Sequence, residues 1–212
     1  MNYLIDRGGA GQSCGTLIFA HGAGAPMDSD FMSALVRGIA GHQISVVRFE
    51  FPYMAQRRSG GSKRPPDRQP VLLDCWRQVV AEIRDCQELV GPLMIGGKSM
   101  GGRMASLVAD ELQVDGLCCF GFPFHAPGKP EKMRVEQFAG MVTPTRIFQG
   151  TRDAFGKPPE LEAVAFSPAV QLCWIEDGDH DLKPRKKSGL TQQQHLDDVA
   201  LKVRDFAGSL SC

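Results

Sequence analysis

Short apolar runs alternate along this chain with longer stretches in which apolar positions recur every three or four residues. Thr16 to Ala20 (TLIFA) is an unbroken β-favouring run that ends at His21-Gly22-Ala23-Gly24, which predicts a buried strand closed by a tight loop. From Phe31 the spacing of Phe31, Leu35, Val36 and Ile39 predicts an amphipathic helix, with Gly41 as its stop. Ile44 to Phe51 (ISVVRFEF) predicts a second strand ended by Pro52, and the Arg-, Gly- and Pro-rich residues 53–70 predict a long exposed loop. Leu72, Trp76, Val79, Val80, Ile83 and Val90 mark one face of a long helix. Pro92 to Gly96 (PLMIG) predicts a third strand, followed by a helix with an inner stripe of Met104, Leu107, Val108 and Leu112. Further strands are predicted over Val114 to Phe120, Thr145 to Gln149 and Val170 to Glu176, and helices over Glu160 to Phe166 and Thr191 to Phe206. Thr191 with Gln194 forms a capping box that sets the start of the last helix.

Strands that alternate with helices in this way imply parallel βαβ units, and runs such as LCCF and LCWI suit strands covered on both faces. The expected fold is α/β: a doubly wound, mostly parallel sheet with helices on both faces, built as one domain over residues 1–212 with no internal repeat. Ligands bind such sheets beyond the carboxyl ends of the strands, so the loops after strands are where chemistry is sought.

One of those loops carries a pentapeptide. Gly97-Lys98-Ser99-Met100-Gly101 is Gly-x-Ser-x-Gly between a predicted strand and a predicted helix, the setting in which a sharp turn exposes a nucleophilic serine. Glycines flank it because side chains there would strike the neighbouring strand and helix, and Gly96 and Gly102 extend the small-residue collar. Gly97-Lys98-Ser99 also ends like a phosphate-binding loop. That loop needs a glycine where this chain has Pro92, and residues 92–95 read as strand, which removes the cradle.

A serine hydroxyl needs a base to take its proton and a carboxylate to hold that base, in the chain order Ser, acid, His for folds with this turn. His21 and His42 precede Ser99, His125 precedes the strand that should carry the acid, and His195 lies inside a helix. His180 remains, in the loop Asp177-Gly178-Asp179-His180-Asp181 after the last predicted strand, and Asp153 follows the strand TRIFQ at the same edge. For the oxyanion, the backbone N–H of Met100 and that of Ala23 in the HGAG loop are the expected donors. Phe122, Phe124 and His125, just past a strand end, are candidate walls of a substrate pocket, and Arg103 is read as a structural residue.

Composition narrows the partners. Lys plus Arg and Asp plus Glu are each 24, so the net charge is zero and no global field draws in nucleic acid or an anionic membrane. Basic residues do cluster locally at 57–68 and at Lys183, Arg185, Lys186 and Lys187, which suggests an anionic substrate or partner. The seven cysteines (Cys14, Cys75, Cys86, Cys118, Cys119, Cys173 and Cys212) show no Cys-x-x-Cys pair and read as reduced, mostly structural thiols, with no metal site. No run approaches a membrane span of about 18 apolar residues, and the N-terminus lacks the pattern of a secretory signal, so a cytoplasmic protein is expected.

Taken together, Gly97 to Gly101, Asp153, His180 and the HGAG loop resemble the α/β-hydrolase superfamily. More narrowly, RFEFPYM at 48–54, RPPD at 64–67 and GGKSMGGRMAS at 96–106 are similar to small hydrolases related to testis-expressed protein thirty and to dienelactone hydrolases, across roughly residues 14–207. A serine with such a base and acid leads to hydrolysis of a small-molecule carboxylic ester, thioester or lactone as the expected reaction. The resemblance implies a triad on Ser99, Asp153 and His180, no metal and no organic cofactor, and points to no particular substrate. It also implies an alternative, a non-catalytic subunit that keeps the hydrolase scaffold. Many relatives insert a lid after the strand near Phe120. Only about 20 residues, Phe122 to Thr143, stand there in this chain, so a minimal lid and an open site are expected.

Overall fold

A computed structural model describes residues 1–9, 13–85 and 90–210. Among the described residues seven strands form one sheet in the order β1-β3-β2-β4-β5-β6-β7, with β1 Tyr3–Asp6, β2 Gly15–Ala20, β3 Ile44–Phe49, β4 Leu93–Lys98, β5 Gly116–Phe120, β6 Thr145–Gly150 and β7 Val170–Ile175. All pairings are parallel except that of β1, which lies antiparallel on β3 with Tyr3 opposite Phe49. The helices are α1 Asp30–Gly41, α2 Pro52–Arg58, α3 Gln69–Asp85, α4 Met100–Ser106, α5 Pro158–Leu161 and α6 Gln192–Ser209.

The strands separate two cores by simple alternation. Leu17 and Phe19 of β2 and Cys118 and Phe120 of β5 face a layer containing Leu35, Val36 and Ile39 of α1 and Leu196, Val199 and Val203 of α6. Ile18, Ala20, Leu117 and Cys119 face the opposite layer with Trp76 and Val79 of α3 and Met104 of α4. The apolar runs of β2 to β6 are therefore strands buried on both faces, whereas β7, expected to be covered on both faces, lies at the sheet edge and is half-buried up to Ile175, with Gln171 exposed. Burial pushes the Cys75 thiol up to about 12 and raises Cys118 and Cys119 well above the thiol range, so these thiols are inert packing groups. Cys14 is exposed instead, Cys173 is half-buried, and Cys86 and Cys212 lie outside the described residues.

Several expectations are corrected. Residues 52–58 form α2 rather than loop, because Pro52 stands at the first helical position, where its missing N–H costs nothing, and Tyr53 and Met54 turn inward. Strand β1 was not expected; it is a four-residue edge strand whose Ile5 is exposed. Val90 lies outside α3 and is exposed. Helix α4 stops at Ser106 and continues as hydrogen-bonded turns that keep Val108 buried, and α5 covers only 158–161.

From β2 the chain passes to β3 on one side and then returns to β4 on the other, so strand order reverses between β2 and β4. The crevice beyond the carboxyl ends of those two strands is the topological switch point, where open α/β sheets bind ligands. The loop 21–24 and the turn at Ser99 both end there.

Candidate active site

Ser99 joins β4 directly to α4 and has φ 51° and ψ −116°, a left-handed conformation that L-residues adopt at a cost of about 1–3 kcal/mol. Its N–H donates to Phe120 O at 3.0 Å and its carbonyl accepts from Arg103 N at 3.0 Å, so the bend is pinned from the β5 side and from inside the helix. The collar glycines are there for space. A Cβ on Gly97 would fall 2.5 Å from backbone atoms of Gly101 and Gly102, and one on Gly101 would fall 2.6 Å from His21 O.

The bend lifts Ser99 Oγ to 3.0 Å from His180 Nε2, and His180 Nδ1 lies 2.8 Å from Asp153 Oδ2. A carboxylate only accepts, so Nδ1 carries a proton toward Asp153, and the tautomer with Nε2 free is the one that can accept from the serine hydroxyl. Asp153 is fully buried at the end of β6. Its oxygens also accept from Gln149 Nε2 at 2.9 Å and from Phe155 N at 2.9 Å, which fixes the carboxylate independently of the imidazole. Gln149 is oriented in turn by Phe122 N, which donates to its Oε1 at 2.7 Å. The Phe155 ring lies over the imidazole with centroids 4.3 Å apart.

The loop carrying His180 is held from several sides. Asp177, with φ 57°, is bonded by Arg185 and Arg152, and the Arg185 guanidinium beside it holds its carboxyl below the usual range. Asp179 Oδ1 accepts from the N–H groups of Asp181 and Lys183, both at 2.9 Å. From α6, Gln192 Nε2 donates to Asp181 O at 2.7 Å and His195 Nδ1 lies 2.8 Å from Leu182 O. From the end of β4, next to Ser99, Lys98 Nζ donates to His180 O at 2.6 Å and pairs with Asp181 Oδ1 at 3.1 Å.

Across the crevice, His21 is buried, accepts from Phe51 N–H through Nε2 at 3.1 Å, and has Nδ1 2.7 Å from Gly22 O. Accepting at Nε2 leaves the proton on Nδ1, and burial lowers the imidazole pKa, so the ring is neutral. In the trans peptide between Gly22 and Ala23 the carbonyl points to His21, which sends the Ala23 N–H the other way. Tyr53 Oη donates to Ala23 O at 2.9 Å and fixes the next peptide. Met100 opens α4, so its N–H has no intrahelical acceptor. Ala23, Ser99, His180, Lys98, Asp181, Phe31 and Asp30 line one cleft of about 460 Å³.

Residues 13–208 match the sequence profile of the Alpha/beta hydrolase domain family. The chain belongs to that family. Solved structures of α/β hydrolases share its fold. An alpha-beta serine hydrolase homologue from Coxiella burnetii matches with a TM-score of 0.69 at 18% identity, over 98% of this chain and 89% of that one. A Xanthomonas campestris serine hydrolase described as lacking a lid matches with a TM-score of 0.68 at 18% identity, over 97% and 86%. Dienelactone hydrolase from Anabaena variabilis gives 0.67 at 17% identity, over 96% and 88%. At such identities the likeness is one of fold.

Not every candidate of this alpha/beta hydrolase chain lies at the cleft. Phe122 and Phe124 are 0% exposed and pack on each other and on Phe138, and His125 is buried against Ala126 O and Glu160. They are core, not pocket wall, because the chain after β5 turns under the loop that follows β6, with His125 N bonded to Phe155 O. The wall opposite Ser99 comes instead from Phe31 and Met32 at the start of α1. Among the basic residues, Arg58 is bound by Asp28 and Glu50, Arg64 by Asp67 and Arg185 by Asp177, and none of them lines that cleft. Arg103 reaches Gln69 Oε1 at 3.4 Å, a contact between helices. The sequence offers no signal for Lys98 or Tyr53, whose partners are far away along the chain, nor for Gln149 and Phe155, which bond the nearby Asp153 but also reach Phe122 and His180 from other strand ends.

Proposed function

We propose that this protein is a serine hydrolase that cleaves a small-molecule carboxylic ester, thioester or lactone through an acyl-enzyme, with Ser99, His180 and Asp153 as its triad. The observation that supports this most is the unbroken chain Ser99 Oγ to His180 Nε2 at 3.0 Å and His180 Nδ1 to Asp153 Oδ2 at 2.8 Å, assembled from the ends of three strands. Ser99 Oγ attacks the acyl carbon while His180 Nε2 takes its proton, and Asp153 stabilises the imidazolium without itself being protonated. The N–H groups of Met100 and Ala23 receive the developing oxyanion. His180 then protonates the leaving oxygen or sulfur and activates the water that releases the acid.

The narrower kinship with small hydrolases related to testis-expressed protein thirty rests on the motifs at 48–54, 64–67 and 96–106. Among the described residues no helix is long and apolar enough to cross a membrane, and a soluble small-molecule substrate met in the cytoplasm is part of the same proposal. Labelling with a fluorophosphonate probe tests the reading. It predicts labelling of the wild type that disappears in Ser99→Ala, whereas a folded wild type that does not label points to the non-catalytic scaffold.

A further inference from the structure

Two elements must meet for Ser99 to reach its base, and they belong to distant parts of the sheet. Ser99 is carried by β4, whereas His180 follows β7, three strands away. Most anchors of the His180 loop reach it from its own side: Arg152 after β6, Arg185, and Gln192 and His195 of α6. Those contacts fix the loop relative to β6, β7 and α6. They do not refer it to the nucleophile.

Lys98 does. It is the last residue of β4 and the neighbour of Ser99, and its side chain runs to the other end of the contact: Nζ donates to His180 O at 2.6 Å and pairs with Asp181 Oδ1 at 3.1 Å. The ammonium also lies 5.2 Å from the centre of the Phe31 ring, at the wall of the cleft. Gly121, with φ +62°, keeps the path open, since a Cβ there would fall 2.6 Å from His180 O and 3.0 Å from Lys98 Nζ. The Lys98 side chain is only 8% exposed, and a buried ammonium carries a desolvation cost that an apolar side chain of similar length would not.

We propose that Lys98, clamped by Asp181, is a positioning residue that holds the main chain of His180 where its imidazole meets Ser99. The inference rests on the reading of Ser99, His180 and Asp153 as a triad. One strand then sets both partners of the proton transfer, the serine through its backbone and the histidine through a side-chain tether. Errors of packing across β5, β6 and β7 are not passed on to the Ser–His distance.

Lys98→Met and Asp181→Asn are compared with wild type by steady-state hydrolysis of p-nitrophenyl butyrate and by amide hydrogen exchange. Misplacing a base by about 1 Å costs on the order of 10²-fold, so kcat of Lys98→Met falls by about that factor while KM stays within about twofold. Asp181→Asn loses the clamp but keeps the tether, and its kcat falls by about fivefold. Amides of residues 178–183 exchange at least about tenfold faster in Lys98→Met, a change that Ser99→Ala does not produce. If Lys98→Met keeps wild-type kcat and exchange while Ser99→Ala is inactive, the inference is overturned and the triad reading stands. If wild type and Ser99→Ala hydrolyse the ester equally, the triad reading is lost and the exchange comparison alone decides whether Lys98 holds the loop. Asp181 is 59% exposed, so its variant folds even where Lys98→Met does not, and unchanged kcat and exchange in Asp181→Asn then overturn the clamp.

Discussion

Replacing Asp153 by asparagine tests how the site is preorganised. The carboxylate accepts from three donors: His180 Nδ1 and Gln149 Nε2 at Oδ2, and Phe155 N at Oδ1. An amide has one oxygen, so whichever way it is turned at least one buried donor faces an NH₂ group. With its oxygen toward Phe155 the amide also forces His180 to carry its proton on Nε2, where it can no longer act as base. With the reverse orientation the tautomer survives, but the negative charge that stabilises the imidazolium is gone in both. The expected fall in kcat/KM is about 10³- to 10⁴-fold, which is ~4–5 kcal/mol of transition-state stabilisation. An unsatisfied buried donor costs about 1–3 kcal/mol of stability, or roughly 2–12 °C in Tm for a chain of this size. Hydrolysis of p-nitrophenyl butyrate and a thermal melt measure the two effects. An Asp153→Asn protein that is folded and keeps more than about a tenth of wild-type kcat/KM refutes the assignment of the acid, since no arrangement of the amide preserves both the tautomer and the charge.

Three further outcomes follow from the structure. His21 has a native pKa below its usual 6.5, so the unfolded chain takes up a proton that the native state resists. Its contribution is complete above about 6.5 and declines as pH falls below it; urea melts from about pH 8 to 5.5 show falling stability, with a shallower fall in His21→Gln. Gly101→Ala puts a methyl 2.6 Å from His21 O and 2.7 Å from Ala20 O, all backbone. It costs about 3 kcal/mol or more, measured by chemical denaturation, and a variant as stable as wild type contradicts the close approach. Phe124→Leu lowers stability by about 1 kcal/mol and leaves the ratio of acetyl to octanoyl ester hydrolysis unchanged, whereas an altered ratio puts Phe124 back at the substrate.

The parts of this fold that were legible in the sequence are those whose signal is local. Strands β2 to β6 show as apolar runs because both their faces are buried, the half-buried edge strand β7 shows through its run LCWI, and the turn at Ser99 shows because glycines are needed where backbones crowd around it. His180 emerged by elimination, from chain order and a place after a strand. Helix α2 did not show, since Tyr53 and Met54 are too few to make a stripe among its arginines and Pro52 reads equally as a strand stop or a helix start. Strand β1 is too short and too exposed. Phe122 and Phe124 read as pocket residues in the sequence because a strand end puts residues near the site, while the direction the chain then takes depends on contacts with Phe138 and Phe155. Lys98 lies inside the recognised motif, yet its hydrogen-bond partner His180 is 82 positions away, a distance no local pattern spans.

The central claim is that Ser99 Oγ becomes acylated. Rapid mixing of the protein with p-nitrophenyl acetate, followed by acid quench and peptide mass spectrometry, measures this directly. The account predicts an initial burst approaching one equivalent of p-nitrophenolate per chain, with the acetyl group on the peptide containing Ser99. Turnover without acylation there, or acetyl carried by another residue with Ser99 unmodified, would contradict it.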